Sequence, residues 1–111
     1  MESVEEAYEA LGQYIIAFIG TRCWDSASCK MSIYDKMASG SQWLIYRGSE
    51  EKTGRFNNDA AIWEGLDAAI FIRDDLLRNE KTRIWGLEFT LYPDGTFNII
   101  YDYSKPDDMN G

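Results

Sequence analysis

Apolar residues at the start of the chain recur every three or four positions, which is the spacing of one helix face. The stripe consists of Val4, Ala7, Tyr8, Leu11, Ile15, Phe18 and Ile19. Ser3, with Glu6 three positions later, matches a capping box, and Gly20 is suited to end a helix. The pattern therefore predicts an amphipathic helix between Ser3 and Gly20. Its polar face carries Glu2, Glu5, Glu6, Glu9 and Gln13.

The periodicity changes after this helix. The segment "RCWDSASCK" (22–30) is small and polar and predicts a loop or an irregular strand. Met31, Ile33 and Met37 then share one parity, and "SQWLIYRG" follows "ASGS". This alternation predicts two strands joined by a short turn at 38–41.

A second helix is predicted after a long connection. The segment "GSEEKTGRFNN" (48–58) has the composition of a loop, and Asn58 and Asp59 are good N-cap residues. A helical stripe follows, made of Ile62, Leu66, Ala69, Ile70, Arg73 and Leu77. We expect Trp63 to be wedged against a sheet, and Gly65 to permit a close approach of the helix to that sheet.

The last part of the chain predicts a β-hairpin. Trp85, Leu87, Phe89 and Leu91 share one parity on the first strand, and Phe97, Ile99, Tyr101 and Tyr103 share one parity on the second. In the intervening "YPDGT", Pro93 is preset for the first corner of a turn and Gly95 can adopt positive φ. The aromatic residues at these positions are expected to build the core.

These elements add up to one α+β domain over residues 1–111. Helix, two strands, helix and two strands predict an antiparallel sheet of four to five strands with helices packed on one face. A chain of 111 residues can bury one core and is too short for two. Its 45% apolar content is typical of a folded globular protein.

Charge and cysteine content narrow the possible partners and compartments. Nineteen acidic and eleven basic residues give a net charge of −8, which disfavours nucleic acid and anionic membranes and favours basic surfaces. Cys23 and Cys29 fit two reduced thiols in an intracellular chain, or a short-loop disulfide in an oxidising compartment. The start "MESVEEAYEA" lacks the features of a secretory signal, so a cytoplasmic location is expected.

The sequence offers little that predicts catalysis or a cofactor. Histidine, the commonest general base, is absent. The carboxylate pairs Glu50/Glu51, Asp74/Asp75 and Asp107/Asp108 are adjacent in sequence and are not expected to converge on one substrate atom. Two cysteines without histidine cannot close a four-coordinate zinc site. We therefore predict a protein that is not an enzyme and holds no metal or cofactor.

A partner-binding surface is the remaining functional prediction. Acidic residues collect around the C-terminal hairpin, others are expected nearby in the sheet, and an aromatic residue could anchor a partner. The predicted partner-binding residues are Glu50, Glu51, Glu88, Asp94, Asp102, Asp107, Asp108, Trp43 and Tyr46. Such a surface would dock a basic protein.

The hairpin also carries a family resemblance. The run "GLEFTLYPDGTFNIIYDYSKPDD" resembles the end of YezG-like immunity proteins, with an apolar strand, an Asp-Gly turn, F-x-I and then aromatic-Asp-Tyr. The matching residues are Leu91, Asp94, Gly95, Phe97, Ile99, Tyr101, Asp102 and Tyr103. The wider layout, with an acidic first helix and a tryptophan in "SQWLIYR", is similar to the family in outline.

This resemblance implies a small cytosolic protein that binds and neutralises a toxin domain, often a nuclease, delivered between competing bacteria. It implies no catalysis by the chain itself. Two other readings stay open at the level of sequence. One is a module that binds a small ligand in a pocket between sheet and helices, and the other is a dimerising regulatory adaptor.

Overall fold

A computed structural model of the protein describes residues 1–105. The first helix, α1 (Val4–Ile19), forms where the capping pattern predicts it. The Ser3 hydroxyl accepts a hydrogen bond from the N–H of Glu6 at 3.2 Å. The Glu6 carboxylate in turn accepts one from the N–H of Glu2 at 3.0 Å. At the other end, Gly20 takes φ = 62° and donates its N–H to the carbonyl of Ile16, a conformation that favours glycine.

Five strands form one antiparallel sheet, and two helices cover one face of it. The strands are β1 (Ser26–Ile33), β2 (Ala38–Tyr46), β3 (Ser49–Glu51), β4 (Gly86–Leu91) and β5 (Phe97–Asp102), and the second helix is α2 (Asp59–Glu80). Their order across the sheet is β3-β2-β1-β4-β5. The predicted α+β class is confirmed. Within residues 1–105, neither helix has the length and apolar character needed to cross a bilayer.

Strand alternation sends one parity of side chains toward the helices. On β1 and β4 these are Ala27, Cys29, Met31, Ile33, Leu87, Phe89 and Leu91, none more than 8% exposed. They pack against buried residues of α1 and α2, including Phe18 and Ile72. The core therefore lies between the helix pair and a single face of the sheet.

The turn between the first two strands lies four residues earlier than predicted. It is formed by residues 34–37, where Tyr34 donates its N–H to the carbonyl of Met37 at 2.7 Å. Residues 38–41 belong to β2 instead. Glycine at position 40 has a packing reason, because a Cβ there would lie 2.8 Å from the Tyr14 hydroxyl and from the Met31 sulfur. Strand β1 also begins at Ser26, inside the segment expected to be a loop or irregular strand.

The predicted long connection is shortened by the edge strand β3. Arg47 and Gly48 both have positive φ, at 51° and 79°. Tyr46 pairs with Ser49 across them. This is the two-residue hairpin loop that matches the twist of its flanking strands, and its second position is suited to glycine. The sequence pattern missed β3 because its residues, Ser-Glu-Glu, have no strand alternation of apolar side chains.

Helix α2 begins where expected, but two predictions about it are wrong. The Asn58 side-chain oxygen, Oδ1, caps the helix by accepting from the N–H groups of Ala60 and Ala61. Trp63 is 67% exposed rather than wedged against the sheet. Gly65 permits a close approach to α1 rather than to the sheet, since a Cβ there would lie 2.5 Å from the Tyr14 ring. The buried face of α2 is thus rotated toward its small residues, Ala61, Gly65, Ala68 and Ala69.

Arg73 is the charged member of the predicted α2 stripe, and it is buried, with 5% of its surface exposed. Its guanidinium donates to the carbonyls of Tyr34 at 2.6 Å and Asp35 at 2.9 Å. It also donates to the Asp74 carboxylate at 2.8 Å. A cation with three such partners is satisfied in the interior. Arg73 therefore fixes the β1–β2 turn to α2.

The C-terminal hairpin forms as predicted. Leu91 pairs with Phe97 at its tip and Gly86 with Asp102 at its base. Tyr92 donates its N–H to the carbonyl of Thr96 at 2.9 Å, and Gly95 takes φ = 90°. Phe89 stacks on Phe97 with ring centroids 5.0 Å apart. Leu87, Phe89 and Leu91 are core residues as expected, whereas Phe97 stays 44% exposed.

Two ionisable groups lie in the core beside the sheet. Cys29 is buried on β1, whereas Cys23 is an exposed thiol, and both are free. Burial raises the pKa of Cys29 from 9.0 to about 12. Burial, followed by the nearby Cys29, raises the pKa of Tyr14 from 10.0 to about 12, and the Tyr14 hydroxyl donates to the Gln42 side-chain oxygen at 2.8 Å. The fold thus keeps both groups protonated.

We expect the protein to lose stability in alkali. Both groups have a higher pKa in the folded chain, so their contribution is present below their unfolded values of 9.0 and 10.0 and is lost as pH rises toward about 12. The free energy of unfolding, measured by urea titration between pH 7 and pH 11, should fall above pH 9. Cys29→Ala should flatten this fall, with Cys23→Ala as the matched control. Identical pH profiles for the two variants would contradict the assignment.

Candidate protein-binding surface

Four of the predicted partner-binding residues share the face of the sheet that points away from the helices. By strand parity Trp43, Glu50, Glu88 and Asp102 lie on this outer sheet face. Trp43 stands opposite Ser28, whose hydroxyl shares a 2.8 Å hydrogen bond with that of Thr90. Glu88 and Asp102, on paired strands, line one pocket of about 300 Å³ together with Lys30, whereas Trp43 and Glu50 lie on the other side of β1, so the four do not form one cluster.

The charges on the outer sheet face are partly compensated. Glu50 and Glu88 are separated by strands β2 and β1, and Glu50 is level with Ser26 whereas Glu88 pairs with Lys30, which places them roughly 19 Å apart at ordinary strand dimensions. Lys52 lies 3.8 Å from Glu50, and Lys30 is the direct cross-strand neighbour of Glu88. Asp102 accepts a hydrogen bond from the N–H of Ser104 at 2.9 Å. This face is less negative than the sequence pattern predicts.

The other predicted residues lie elsewhere. Tyr46 has the opposite parity to Trp43, packs against the core and stacks with the Arg47 guanidinium at 5.2 Å. Glu51 turns to the helix side of the edge strand, where hydrogen bonds from the Thr53 side chain and backbone lower its pKa. Asp94 is in the hairpin turn, where the Thr96 hydroxyl and N–H likewise lower its pKa. Asp107 and Asp108 lie outside the described residues.

A group of four carboxylates lies on the helices rather than on the sheet. Glu6 and Glu9 of α1 and Glu64 and Asp67 of α2 line one groove of about 500 Å³ between the two helices. We call these four residues the acidic helical face. Among the described residues, no lysine or arginine side chain lines this groove, and the amino group of Met1 is its one cationic group. The helix pair therefore presents concentrated negative potential to solvent.

An exposed aromatic side chain lies beside this face. Trp63 is on α2 one turn before Asp67 and next to Glu64. Residues four apart on a helix are neighbours on its surface. A tryptophan exposed to this extent next to carboxylates is the type of side chain that anchors protein interfaces. Trp63 is absent from the predicted partner-binding residues because the sequence pattern predicted that it would be buried against the sheet.

A second groove lies on the other side of α1. It has a volume of about 530 Å³ and runs between α1 and the β4–β5 hairpin. Apolar side chains make most of its walls, among them Ile16, Trp24, Leu91 and Phe97. We call it the hairpin groove. Glu9 lines both grooves, so the outer ridge of α1 separates an acidic groove from an apolar one.

In residues 1–105, no three side chains of histidine, cysteine, aspartate or glutamate come together in a way that could hold a metal ion. The four carboxylates of the acidic helical face form an electrostatic feature of the helix pair. Their arrangement is suited to attracting a cationic surface.

Comparison with known proteins leaves the family resemblance as a prediction. No protein-family model matches the chain, and no curated protein matches it. The resemblance to YezG-like immunity proteins thus rests on the hairpin residues and on the outline of the wider layout.

Proposed function

We propose that this protein is a cytoplasmic immunity protein that binds a basic toxin domain and neutralises it by covering its surface. The observation that carries the proposal is the acidic helical face with exposed Trp63 beside it. Residues 1–105 contain two ion pairs, Lys52–Glu50 and Arg73–Asp74. Most carboxylates within these described residues therefore form no ion pair with a lysine or arginine. The resemblance of the hairpin to YezG-like proteins supports the same class of function.

The proposed mechanism is occlusion steered by charge. A nuclease domain presents a basic surface because its substrate is a polyanion. The acidic helical face would meet that surface in place of the phosphates and speed association, and Trp63 would supply the desolvated anchor. Carboxylates at the rim of an interface act mainly on the association rate, so added salt should weaken binding chiefly by slowing it.

We expect neutralisation of the acidic helical face to weaken toxin binding. The triple variant Glu6→Gln, Glu9→Gln, Glu64→Gln should slow association with the toxin domain encoded beside this gene by about tenfold or more at low salt. Glutamine at position 6 retains the capping box.

Trp63→Ala should instead speed dissociation, by about tenfold or more for a central anchor. Surface plasmon resonance at two salt concentrations separates the two effects.

A second triple variant provides the matched control. Glu50→Gln, Glu88→Gln, Asp102→Asn changes the net charge by the same amount on the outer sheet face. If this variant loses as much association rate as the first, the acidic helical face is not the binding surface. The function itself is rejected if the unaltered protein neither binds the toxin domain nor protects cells that produce it.

A further inference from the structure

The hairpin groove is an apolar surface that this fold leaves open. Ile16 on α1 is 46% exposed and Phe97 on β5 is 44% exposed, and both line the groove. Trp24, from the loop before β1, also lines it. Large apolar side chains that face one another across a channel of this size are typical of sites that receive a ligand or a partner segment.

Gly12 is an independent sign that the groove is kept open. It lies in the middle of α1 and lines the groove. A glycine in a helix interior weakens the helix relative to alanine. Gly65 has a packing reason within the fold, because Tyr14 occupies the space of its missing side chain, but a Cβ on Gly12 would meet nothing within 4 Å. Packing within the described residues therefore does not require glycine at position 12, and a larger side chain there would extend into the groove.

The charge at the groove restricts what can occupy it. Glu5 and Glu9 line its α1 wall, and no lysine or arginine lines it among the described residues. A second copy of the chain would bring a further −8 charge and the same carboxylates to the contact. An anionic membrane would be repelled in the same way. Apolar walls with a carboxylate rim are complementary to apolar side chains flanked by basic ones.

We propose that the hairpin groove receives a basic amphipathic segment of the partner protein. Two or three apolar side chains of that segment lie in the channel left by Gly12, and its lysines or arginines pair with Glu5 and Glu9. This inference rests on the proposed function, in that it takes the partner to be a basic protein. It adds that the partner is held on both sides of the α1 ridge, by charge on one side and by apolar burial on the other.

A synthetic peptide tests the groove without the toxin. The probe is an 18-residue peptide of leucine and lysine patterned as an amphipathic helix. The control is a peptide of the same composition with its leucines spread evenly around the helix. Titration of ¹⁵N-labelled protein should shift the amide signals of Gly12, Ile16 and Phe97 with the patterned peptide only. Equal binding of both peptides, or shifts confined to other surfaces, would overturn the proposal.

Variants of the groove give the second readout. Gly12→Leu directs a side chain into the channel and should weaken peptide binding by about tenfold, whereas Gly12→Ala should change it far less. Ile16→Gln removes one apolar wall at an exposed position and should also weaken binding. Circular dichroism establishes that each variant is folded. Unchanged affinity in both Gly12→Leu and Ile16→Gln would overturn the proposal.

The toxin domain separates this inference from the proposed function. If the unaltered protein binds the toxin and Gly12→Leu binds it equally well, the groove inference fails and the immunity function stands. If the patterned peptide binds in the groove but no toxin domain binds, the groove inference stands as a peptide site and the immunity function fails. Loss of toxin binding in a folded Gly12→Leu variant supports both.

Discussion

Arg73→Met is expected to lower the free energy of unfolding by about 2–4 kcal/mol, since hydrogen bonds to a charged donor are lost in a buried site. Methionine can fill much of the space of the arginine stem. It leaves the carbonyls of Tyr34 and Asp35 without their donors, and the β1–β2 turn loses its tie to α2. Urea denaturation followed by circular dichroism measures the change.

Two further variants show whether the geometry of Arg73 or its charge is responsible. Arg73→Lys keeps the charge but cannot donate to two carbonyls and to Asp74 from one planar group, so it should recover only part of the loss. Arg78→Ala, at an exposed position on the same helix, should change stability by less than about 0.5 kcal/mol. Full stability in Arg73→Lys would show that the fork geometry is unimportant.

Gly65→Ala is expected to destabilise the protein by about 1–3 kcal/mol, as overpacked interiors do. Alanine is normally the better helix former, by about 1 kcal/mol. Here the added Cβ would lie 2.5 Å from the Tyr14 ring and 2.8 Å from the Tyr14 Cβ. The Tyr14 Cβ is bonded to the backbone of α1, so the clash can be relieved only if the two helices move apart. Thermal and urea denaturation report the loss.

Gly12→Ala is the matched control, because it makes the same change in the other helix. A Cβ at this position meets nothing within 4 Å, so only the gain in helix propensity remains. We expect stability to rise by about 0.5–1 kcal/mol. If both alanine variants shift stability in the same direction, the contact between Gly65 and Tyr14 is not what constrains position 65.

Local chemistry made several elements predictable. Ser3 and Glu6 locate the start of α1, Asn58 that of α2, and the Pro-Asp-Gly turn the C-terminal hairpin, because each signal acts within a few residues. The β1–β2 turn was misplaced for the opposite reason. Gly40, in the middle of 38–41, is constrained because Tyr14 lies over the strand, which is a contact between distant parts of the chain. Composition alone cannot distinguish such a strand from a turn.

The candidate binding surface was likewise predictable only where it depends on local sequence. The acidic face of α1 could be recognised from its spacing, but its union with Glu64 and Asp67 depends on how α2 packs beside α1. The predicted sheet residues could have been sorted further by parity. Trp43 and Tyr46 are three positions apart, and Glu50 and Glu51 are adjacent, so each pair must point to opposite faces of a strand. The predicted partner-binding surface therefore combined residues from both faces of the sheet.

The two margins of the sheet differ in a way that limits self-assembly. Strand β3 is three residues long and carries Glu50 and Glu51, with Lys52 directly after it. Short, charged margins resist pairing with another chain. Strand β5 has six residues, with Ile100 and Phe97 exposed, and within residues 1–105 no strand pairs with its outer side. Any strand-to-strand association would therefore pair the β5 edge strands of two copies about a two-fold axis. It would stop at a dimer, because the opposite edge strand, β3, cannot pair with a further copy to form a fibre.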